Sequence, residues 1–369
     1  MLKHTLLPLS LSLLITGLAP SLSAQDYAAL DLESRAVPFP EDENVGQLAA
    51  NLTDGLGTEK EKVRAIYVWL THNIRYDVRT AFDEDAEAEE VIAKQQPRTV
   101  LKSKKAVCEG YANLFCALSQ QAGLKALVVT GVVKNTYGRI PRIGHAWNLV
   151  RADSTWGLVD ATWGAGNVDD EAGKFAPEFN PEFFFASPDM MIEHHLPFDP
   201  LYQLRARPLT LQEFKLKPEE RAALPAAKPD PHFAHVTDSL NALVQLDSNT
   251  QVLQSVQRTL RYDPSSNRAR YLLSRHLCNE SVRLYNEYVT EQNNMVANKT
   301  RLSKDILQSF DRQIRAAEER AKQALAEAER VAAGDHYWTA SGPVKRRARE
   351  LQRACSDAKK RNDEMLKRM

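Results

Sequence analysis

Two helical patterns followed by a group of strands most constrain what this chain can fold into. Apolar residues with helical spacing extend over Lys60 to Ile74 and over Val107 to Ala122, where Gly123 predicts the end of the helix. Three β-rich runs follow directly, at Leu124 to Lys134, Ile143 to Val150 and Thr155 to Thr162. Their alternation and close spacing predict an antiparallel meander. The order of helix, helix and sheet indicates an α+β fold rather than repeated βαβ units.

Composition excludes several classes of protein. The chain has 369 residues, of which 43% are hydrophobic, enough to build at least one sizeable core. Lys and Arg number 48, as do Asp and Glu, so no global positive field attracts nucleic acid. Four cysteines are too few for the disulfide framework of a small secreted domain.

The first 24 residues have the pattern of a secretory signal peptide. Lys3 and His4 precede an apolar run from Thr5 to Gly17, and small residues follow up to Ala24. This run is too short to span a bilayer, and no other stretch approaches 18 apolar residues. We therefore expect an exported protein, secreted or periplasmic, without a transmembrane segment.

The C-terminal part of the chain has a different organisation. A proline-bearing segment at residues 224–235 predicts a linker between a domain at 25–223 and a helical domain at 236–369. Tyr262-Asp263-Pro264 faintly resembles a tetratricopeptide unit, and Val344, Leu351, Ala358 and Met365 recur every seven residues, as in a coiled coil. The basic surplus of these helices is consistent with a solvated surface or with binding to an anionic polymer or a membrane surface. A protein partner is a further candidate for this helical region.

Cys108 is placed at the predicted start of a helix, just after Lys104 and Lys105. The partial positive charge of a helix N-terminus and nearby cations stabilise a thiolate, which is the nucleophilic form of cysteine. Without further evidence, a buried structural thiol would be the default interpretation of such a cysteine. Cys116, on the same predicted helix, is expected to be such a core thiol.

The second and third predicted strands bring a histidine and an aspartate together. With a hairpin loop at residues 151–154, directly opposed residues have numbers that sum to 305, so His145 faces Asp160. Trp147 then lies on the same face as His145, and we expect it to contribute a wall of a substrate-binding groove. A carboxylate at this position fixes the imidazole tautomer and leaves the other ring nitrogen for Cys108.

Three segments of the chain resemble the signature segments of the transglutaminase-like superfamily. They are VCEGYA at 107–112, GHAWN at 144–148 and VDATW at 159–163. The helix at 62–70 with IRYD at 74–77 resembles the lead-in of that family. Phe183 to Phe185, Pro188 and His195-Leu196-Pro197 resemble the end of its kyphoscoliosis-peptidase branch. The resemblance covers about residues 55–215.

The resemblance implies a papain-like core in which Cys108 is the nucleophile, His145 the general base and acid, and Asp160 the residue that orients the histidine. It implies attack on peptide or protein amides through a thioester. Hydrolysis is favoured over transamidation, because water always reaches an exported site. Ala106 departs from the glycine that many relatives have two positions before the cysteine, but the triad is complete.

The alternative is a catalytically silent binding or scaffold protein that keeps the fold and acts through its helical region. No cofactor or metal is expected, because zinc-binding CxxC pairs, HExxH and glycine-rich phosphate loops are absent from the sequence. His194 and His195 have no recognised ligand spacing, so we expect a packing role for them.

Overall fold

A computed structural model describes residues 27–83, 88–135, 137–141, 144–169, 173–225, 229–331 and 341–369. The predicted signal peptide at 1–24 lies outside the described residues. Within the described part of the chain, no helix is long and apolar enough to cross a membrane.

The strands of the described residues form one four-stranded sheet and two short pairs. They are β1 Arg75–Tyr76, β2 Lys105–Ala106, β3 Lys125–Val133, β4 His145–Ala152, β5 Thr155–Val159, β6 Gly166–Asp169, β7 Lys174–Pro177 and β8 His195–Pro197. The main sheet has the order β5-β4-β3-β8 and all its pairs are antiparallel. The predicted meander of three strands is confirmed, with β8 added as an edge strand beside β3.

Helices surround this sheet and make up the C-terminal part. In the described residues they are α1 Ala28–Ala36, α2 Val45–Thr53, α3 Glu59–Asn73, α4 Val78–Ala81, α5 Ala88–Lys94, α6 Pro97–Ser103, α7 Cys108–Gln121, α8 Ala161–Ala165, α9 Pro188–Met191, α10 Leu211–Lys215, α11 Pro218–Ala222, α12 Val236–Leu243, α13 Ser248–Tyr262, α14 Asn267–Ala297, α15 Lys304–Glu329 and α16 Ser341–Lys367. Three 3₁₀ helices lie at Pro181–Phe183, Pro200–Gln203 and Pro231–Phe233. The α+β prediction is confirmed.

The two predicted helices before the sheet form its central packing layer. Helix α3 starts at a capping box in which the Thr58 hydroxyl accepts from the Glu61 backbone N–H and the Glu61 carboxylate accepts from the Thr58 N–H. Its middle is buried on all sides, with Tyr67 and Trp69 fully inaccessible. Helix α7 packs on α3, β3 and β4. This packing fixes the start of α7, and with it Cys108, against the sheet.

The hairpin between β4 and β5 is tighter than the sequence predicts. Ala152 is opposed to Thr155, so Asp153 and Ser154 alone form the turn, and both have positive φ (48° and 68°). Such two-residue turns match the right-handed twist of the strands, which a four-residue loop does not require. Opposed residues therefore have numbers that sum to 307 rather than 305. The predicted direct pairing of His145 with Asp160 is wrong, but the shift by two keeps both residues on the predicted face.

Beyond residue 229, the described residues at 229–331 and 341–369 are mainly helical, as predicted. Phe233, Leu240 and Leu243 are buried in the same core cluster as the sheet and α7. Helices α14, α15 and α16 pack along one another around two further clusters rich in small residues, including Ala321 and Ala358. The domain boundaries at 223, 224–235 and 236 stay a prediction.

Candidate active site

Cys108 is the first residue of α7 and is partly exposed. The backbone before it is held by Gln95, a buried residue whose Oε1 accepts from the Val107 N–H at 3.0 Å. Gln95 is itself held, since its backbone carbonyl accepts from the Asn113 side chain at 3.1 Å. A Cβ on Gly110 would lie 2.5 Å from this Oε1, which explains the glycine in the VCEGYA segment. The backbone position of Cys108 is therefore fixed by the hydrogen bond of Gln95 to the preceding residue.

Asp160 follows β5 and is the N-cap of α8, with no exposed surface. Its Oδ1 accepts from the backbone N–H groups of Thr162, at 2.8 Å, and Trp163, at 3.0 Å. Its Oδ2 lies 2.6 Å from His145 Nε2. The sequence prediction that these two side chains meet is correct, although they meet diagonally across the hairpin rather than as an opposed pair.

Electrostatics hold His145 in its protonated form. Burial lowers its pKa, but the Asp160 carboxylate, by charge and by hydrogen bond, and the Cys108 side chain, by hydrogen bond and by charge, outweigh it, so the pKa is raised above its ordinary value. Burial raises the pKa of Asp160, and the charge and hydrogen bond of His145 outweigh burial, so this carboxyl is strongly acidic. His145 thus directs Nε2 toward Asp160, and Nδ1 is the ring atom left for Cys108.

His195 is the member of this group that sequence reasoning missed. Its Nε2 lies 3.0 Å from the same Oδ2 of Asp160, and the ring is 1% exposed. The predicted packing role accounts for its ring contacts, with Trp163 at a centroid distance of 4.5 Å and Trp147 at 5.0 Å, but not for this hydrogen bond. The only signal in the sequence was the HLP segment within the family resemblance.

Trp147 is buried against His145 and His195 and does not line a groove. It is 1% exposed, its ring stacks on His145 at 5.9 Å, and it meets His195 edge-on. The absence of a side chain at Gly131 makes room for it, since a Cβ there would lie 2.5 Å from the Trp147 ring. The substrate contact expected of Trp147 does not match this burial, and Trp163 is the tryptophan that lines the neighbouring cavity.

A cavity of about 830 Å³ adjoins His145. Aromatic side chains form much of its lining, with two carboxylates, Glu178 and Glu182, on exposed positions. The aromatic residues are Tyr76, Trp163, Phe175, Phe179 and Phe183. Burial, and next the charge of Cys108, raise the pKa of Tyr76, so its hydroxyl stays protonated. The cavity has the volume of a typical ligand site, and its lining combines aromatic rings with polar and charged side chains, among them Lys134 and His194.

The donor atoms of His145, Asp160 and His195 lie within 4.8 Å of one another, and in the described residues this is the one such group of metal-ligand types. The two imidazole Nε2 atoms both lie at hydrogen-bond distance from one carboxylate oxygen, at 2.6 and 3.0 Å. Two ligands that are each about 2.0–2.2 Å from a tetrahedral zinc ion lie about 3.3–3.6 Å from each other, farther apart than these nitrogen and oxygen atoms. The donors are thus already engaged with each other, and we assign them to hydrogen bonds.

The sequence of this region is similar to that of several known proteins. Residues 46–161 match the transglutaminase-like superfamily. The chain is 32% identical over 200 residues to the kyphoscoliosis peptidase of Homo sapiens, covering 53% of this chain and 29% of that protein. It is 34% identical over 176 residues to the kyphoscoliosis peptidase of Mus musculus, with 46% and 26% covered.

A third relative is the Lim and transglutaminase domain protein ltd-1 of Caenorhabditis elegans, which is 29% identical over 191 residues, with 47% of this chain and 25% of that protein covered. The chain therefore spans less than a third of the length of these relatives. The matched region contains Cys108, His145 and Asp160. The resemblance predicted from the three signature segments is confirmed, and this chain contains a domain of the transglutaminase-like superfamily.

Proposed function

We propose that this protein is a transglutaminase-like cysteine enzyme that attacks peptide or protein amide bonds, with Cys108, His145 and Asp160 as its catalytic residues. The observation that carries the proposal is the position of one imidazole. Its Nε2 lies 2.6 Å from a fully buried carboxylate, and the side chain of Cys108, the first residue of α7, contributes to the raised pKa of the same ring. This is the order of groups that nucleophilic catalysis by cysteine requires.

In the proposed reaction the Cys108 thiolate attacks the amide carbonyl carbon, a C–S bond forms, and the carbonyl electrons move to oxygen. The intermediate then collapses: the C–N bond breaks, and the proton on His145 goes to the leaving amine. A thioester remains. Water attacks it, gives a proton to His145, and releases a carboxylic acid and the thiolate.

The negative oxygen of the intermediate needs donors. The backbone N–H of Cys108, at the start of α7, is the first one that we propose. For the second we propose the hydroxyl of Tyr76, because β1 and β2 pair Tyr76 with Ala106, two residues before the cysteine, and because Tyr76 responds to the charge of Cys108. Removing one such donor typically costs about 3 kcal/mol of transition-state stabilisation.

The cavity supports a peptide or protein substrate and favours hydrolysis. Its volume of about 830 Å³ accommodates several side chains, and the half-buried ring of Trp163 lines it directly beside His145 at a centroid distance of 5.8 Å. We therefore propose Trp163, and not Trp147, as the tryptophan that contacts substrate. Glu178 and Glu182 are exposed, so the cavity beside His145 is open to the water that hydrolysis requires.

Incubating the protein with an unfolded protein substrate tests this proposal. Mass spectrometry of the products, with and without an added primary amine, distinguishes new carboxyl and amino termini from amine-substituted amides. We expect new termini with wild type and with Cys116→Ala, and none with Cys108→Ala. Equal products from Cys108→Ala and wild type would contradict the proposal, and amine-substituted products in excess would assign transamidation instead. Absence of turnover in wild type would favour the silent binding protein.

A further inference from the structure

Two histidines share one oxygen of the triad carboxylate. Asp160 Oδ2 accepts from His145 Nε2 at 2.6 Å and lies 3.0 Å from His195 Nε2, while Oδ1 accepts two backbone N–H groups. All four hydrogen-bonding positions of the carboxylate are therefore filled. Only one of the two histidines faces the cysteine.

His195 reaches Asp160 from β8, the edge strand at the opposite edge of the sheet from β5. It lies on β8 opposite Val133, and His145 lies on β4 opposite Gly131, so β3 separates the two strands. Val133 and Gly131 point to the same face, which places both imidazoles on that face. The ring of His195 is held by Trp147 and Trp163, at 5.0 and 4.5 Å, and is 1% exposed.

The proton of His195 can be assigned. Burial lowers its pKa to about 4, so the ring is neutral at neutral pH and carries one N–H. Because Asp160 is ionised and can only accept, that N–H belongs to Nε2. Nδ1 is then a buried acceptor without a hydrogen-bond partner among the described residues. Leaving a buried polar atom unpaired is unfavourable, so packing alone does not account for a histidine here.

We propose that His195 is a positioning residue for the catalytic carboxylate, an inference that rests on the proposed function. By donating to Oδ2 it prevents Asp160 from rotating and takes up part of its negative charge. His145 therefore meets a carboxylate of fixed direction and moderated strength. The ionisable groups that act on His195 are Asp160, His145 and His194, and those that act on His145 are Asp160 and Cys108.

The proposal predicts the sign of a pH shift. Without the His195 donor, the charge of Asp160 is less compensated and holds the imidazolium proton of His145 more tightly. The alkaline limb of the pH profile of Cys108 alkylation, where the imidazolium is lost, should move upward. We expect about one pH unit, since one pKa unit corresponds to about 1.4 kcal/mol and a hydrogen bond to a charged group is of that order.

Four variants test this with iodoacetamide as the probe. His195→Phe keeps a ring and removes the donor, and should shift the limb upward. His195→Gln places an amide N–H where Nε2 was and should restore the wild-type limb. His195→Asn carries the same amide on a side chain too short to reach Asp160, so it should also shift the limb upward. It provides the test if His195→Phe does not fold. His235→Phe, at a side chain 81% exposed, should leave the profile unchanged.

The outcomes separate this inference from the proposed function. If His195→Phe and His195→Asn keep the wild-type limb while Cys108 still depends on His145, the positioning role is wrong and the triad stands. If Cys108 is alkylated at the same rate in wild type and in His145→Ala, the proposed function itself fails. The wild-type profile should be the same with and without EDTA. A change on adding EDTA would assign the shared oxygen to a metal ion and overturn the hydrogen bond from His195.

Discussion

His145 Nε2 lies 2.6 Å from Asp160 Oδ2 although the two residues are not opposed in the β-hairpin. Strand β5 ends at Val159, and the next residue, Asp160, caps α8 through Oδ1. One carboxylate thus begins a helix and orients an imidazole. Backbone N–H groups hold its Oδ1, and the two imidazoles of His145 and His195 share its Oδ2.

Two buried histidines predict opposite pH dependences of the free energy of unfolding. The lowered pKa of His195 means that, between about pH 4 and the unfolded value of about 6.5, only the unfolded state binds this proton, so stability falls as pH falls. The raised pKa of His145 gives stability that is fully present below about pH 6.5 and is lost as pH rises through its folded value. Urea unfolding across this range should show maximal stability near pH 6.5.

The acid side of that curve belongs to His195. In His195→Gln, the fall in the free energy of unfolding between pH 6.5 and pH 4.5 should be smaller than in wild type by about 1–3 kcal/mol. His235→Gln, at an exposed histidine, is the matched control and should retain the wild-type curve. An unchanged slope in His195→Gln would mean that the native state does not keep this ring neutral.

Gln95 holds the segment before the cysteine, and its removal should be costly. Gln95→Leu leaves the buried Val107 N–H without its acceptor, and we expect a loss of about 1–3 kcal/mol in the free energy of unfolding. Gln96→Leu is the control, because Gln96 is exposed and lies one residue away. It should change stability by less than about 0.5 kcal/mol. Equal effects of the two substitutions in urea unfolding would contradict the assigned role of Gln95.

Trp147 and Trp163 should separate stability from substrate binding. Trp147→Ala removes a ring that is 1% exposed and should destabilise the fold by about 3–5 kcal/mol. Trp163→Ala removes part of the cavity lining and should raise KM with a smaller loss of stability. Thermal unfolding and peptide turnover measure the two effects. A larger loss of stability in Trp163→Ala, with KM unchanged, would reverse the assignment of these two residues.

Much of this fold could be predicted from local pattern. The helices around Trp69 and Cys108 and the three strands follow from spacing and from Gly123, and the face shared by His145 and Asp160 follows from the period of two in strands. The exact pairing of β4 with β5 could not be predicted. It depends on whether Asp153 and Ser154 adopt positive φ, which residues other than glycine rarely do.

His195 could not be predicted for a different reason. It lies 35 residues from Asp160, on a three-residue edge strand whose pairing with β3 is set by the packed sheet rather than by local sequence. The burial of Trp147 has a similar origin. It depends on Gly131, on the neighbouring strand, leaving space for the indole ring. Contacts across several strands are long-range packing, which periodicity along one segment does not encode.

The most direct test of the account is the pH dependence of Cys108 alkylation, followed by mass spectrometry in wild type and His145→Ala. Cys116, on the same helix, is an internal control, because burial raises the pKa of its thiol to about 12. We predict that Cys108 is alkylated well below pH 8.5, which is about the ordinary pKa of a free thiol. Cys116 should not react in this range. His145→Ala should slow the reaction of Cys108. An inert Cys108, or one that reacts identically without His145, would contradict the proposed triad.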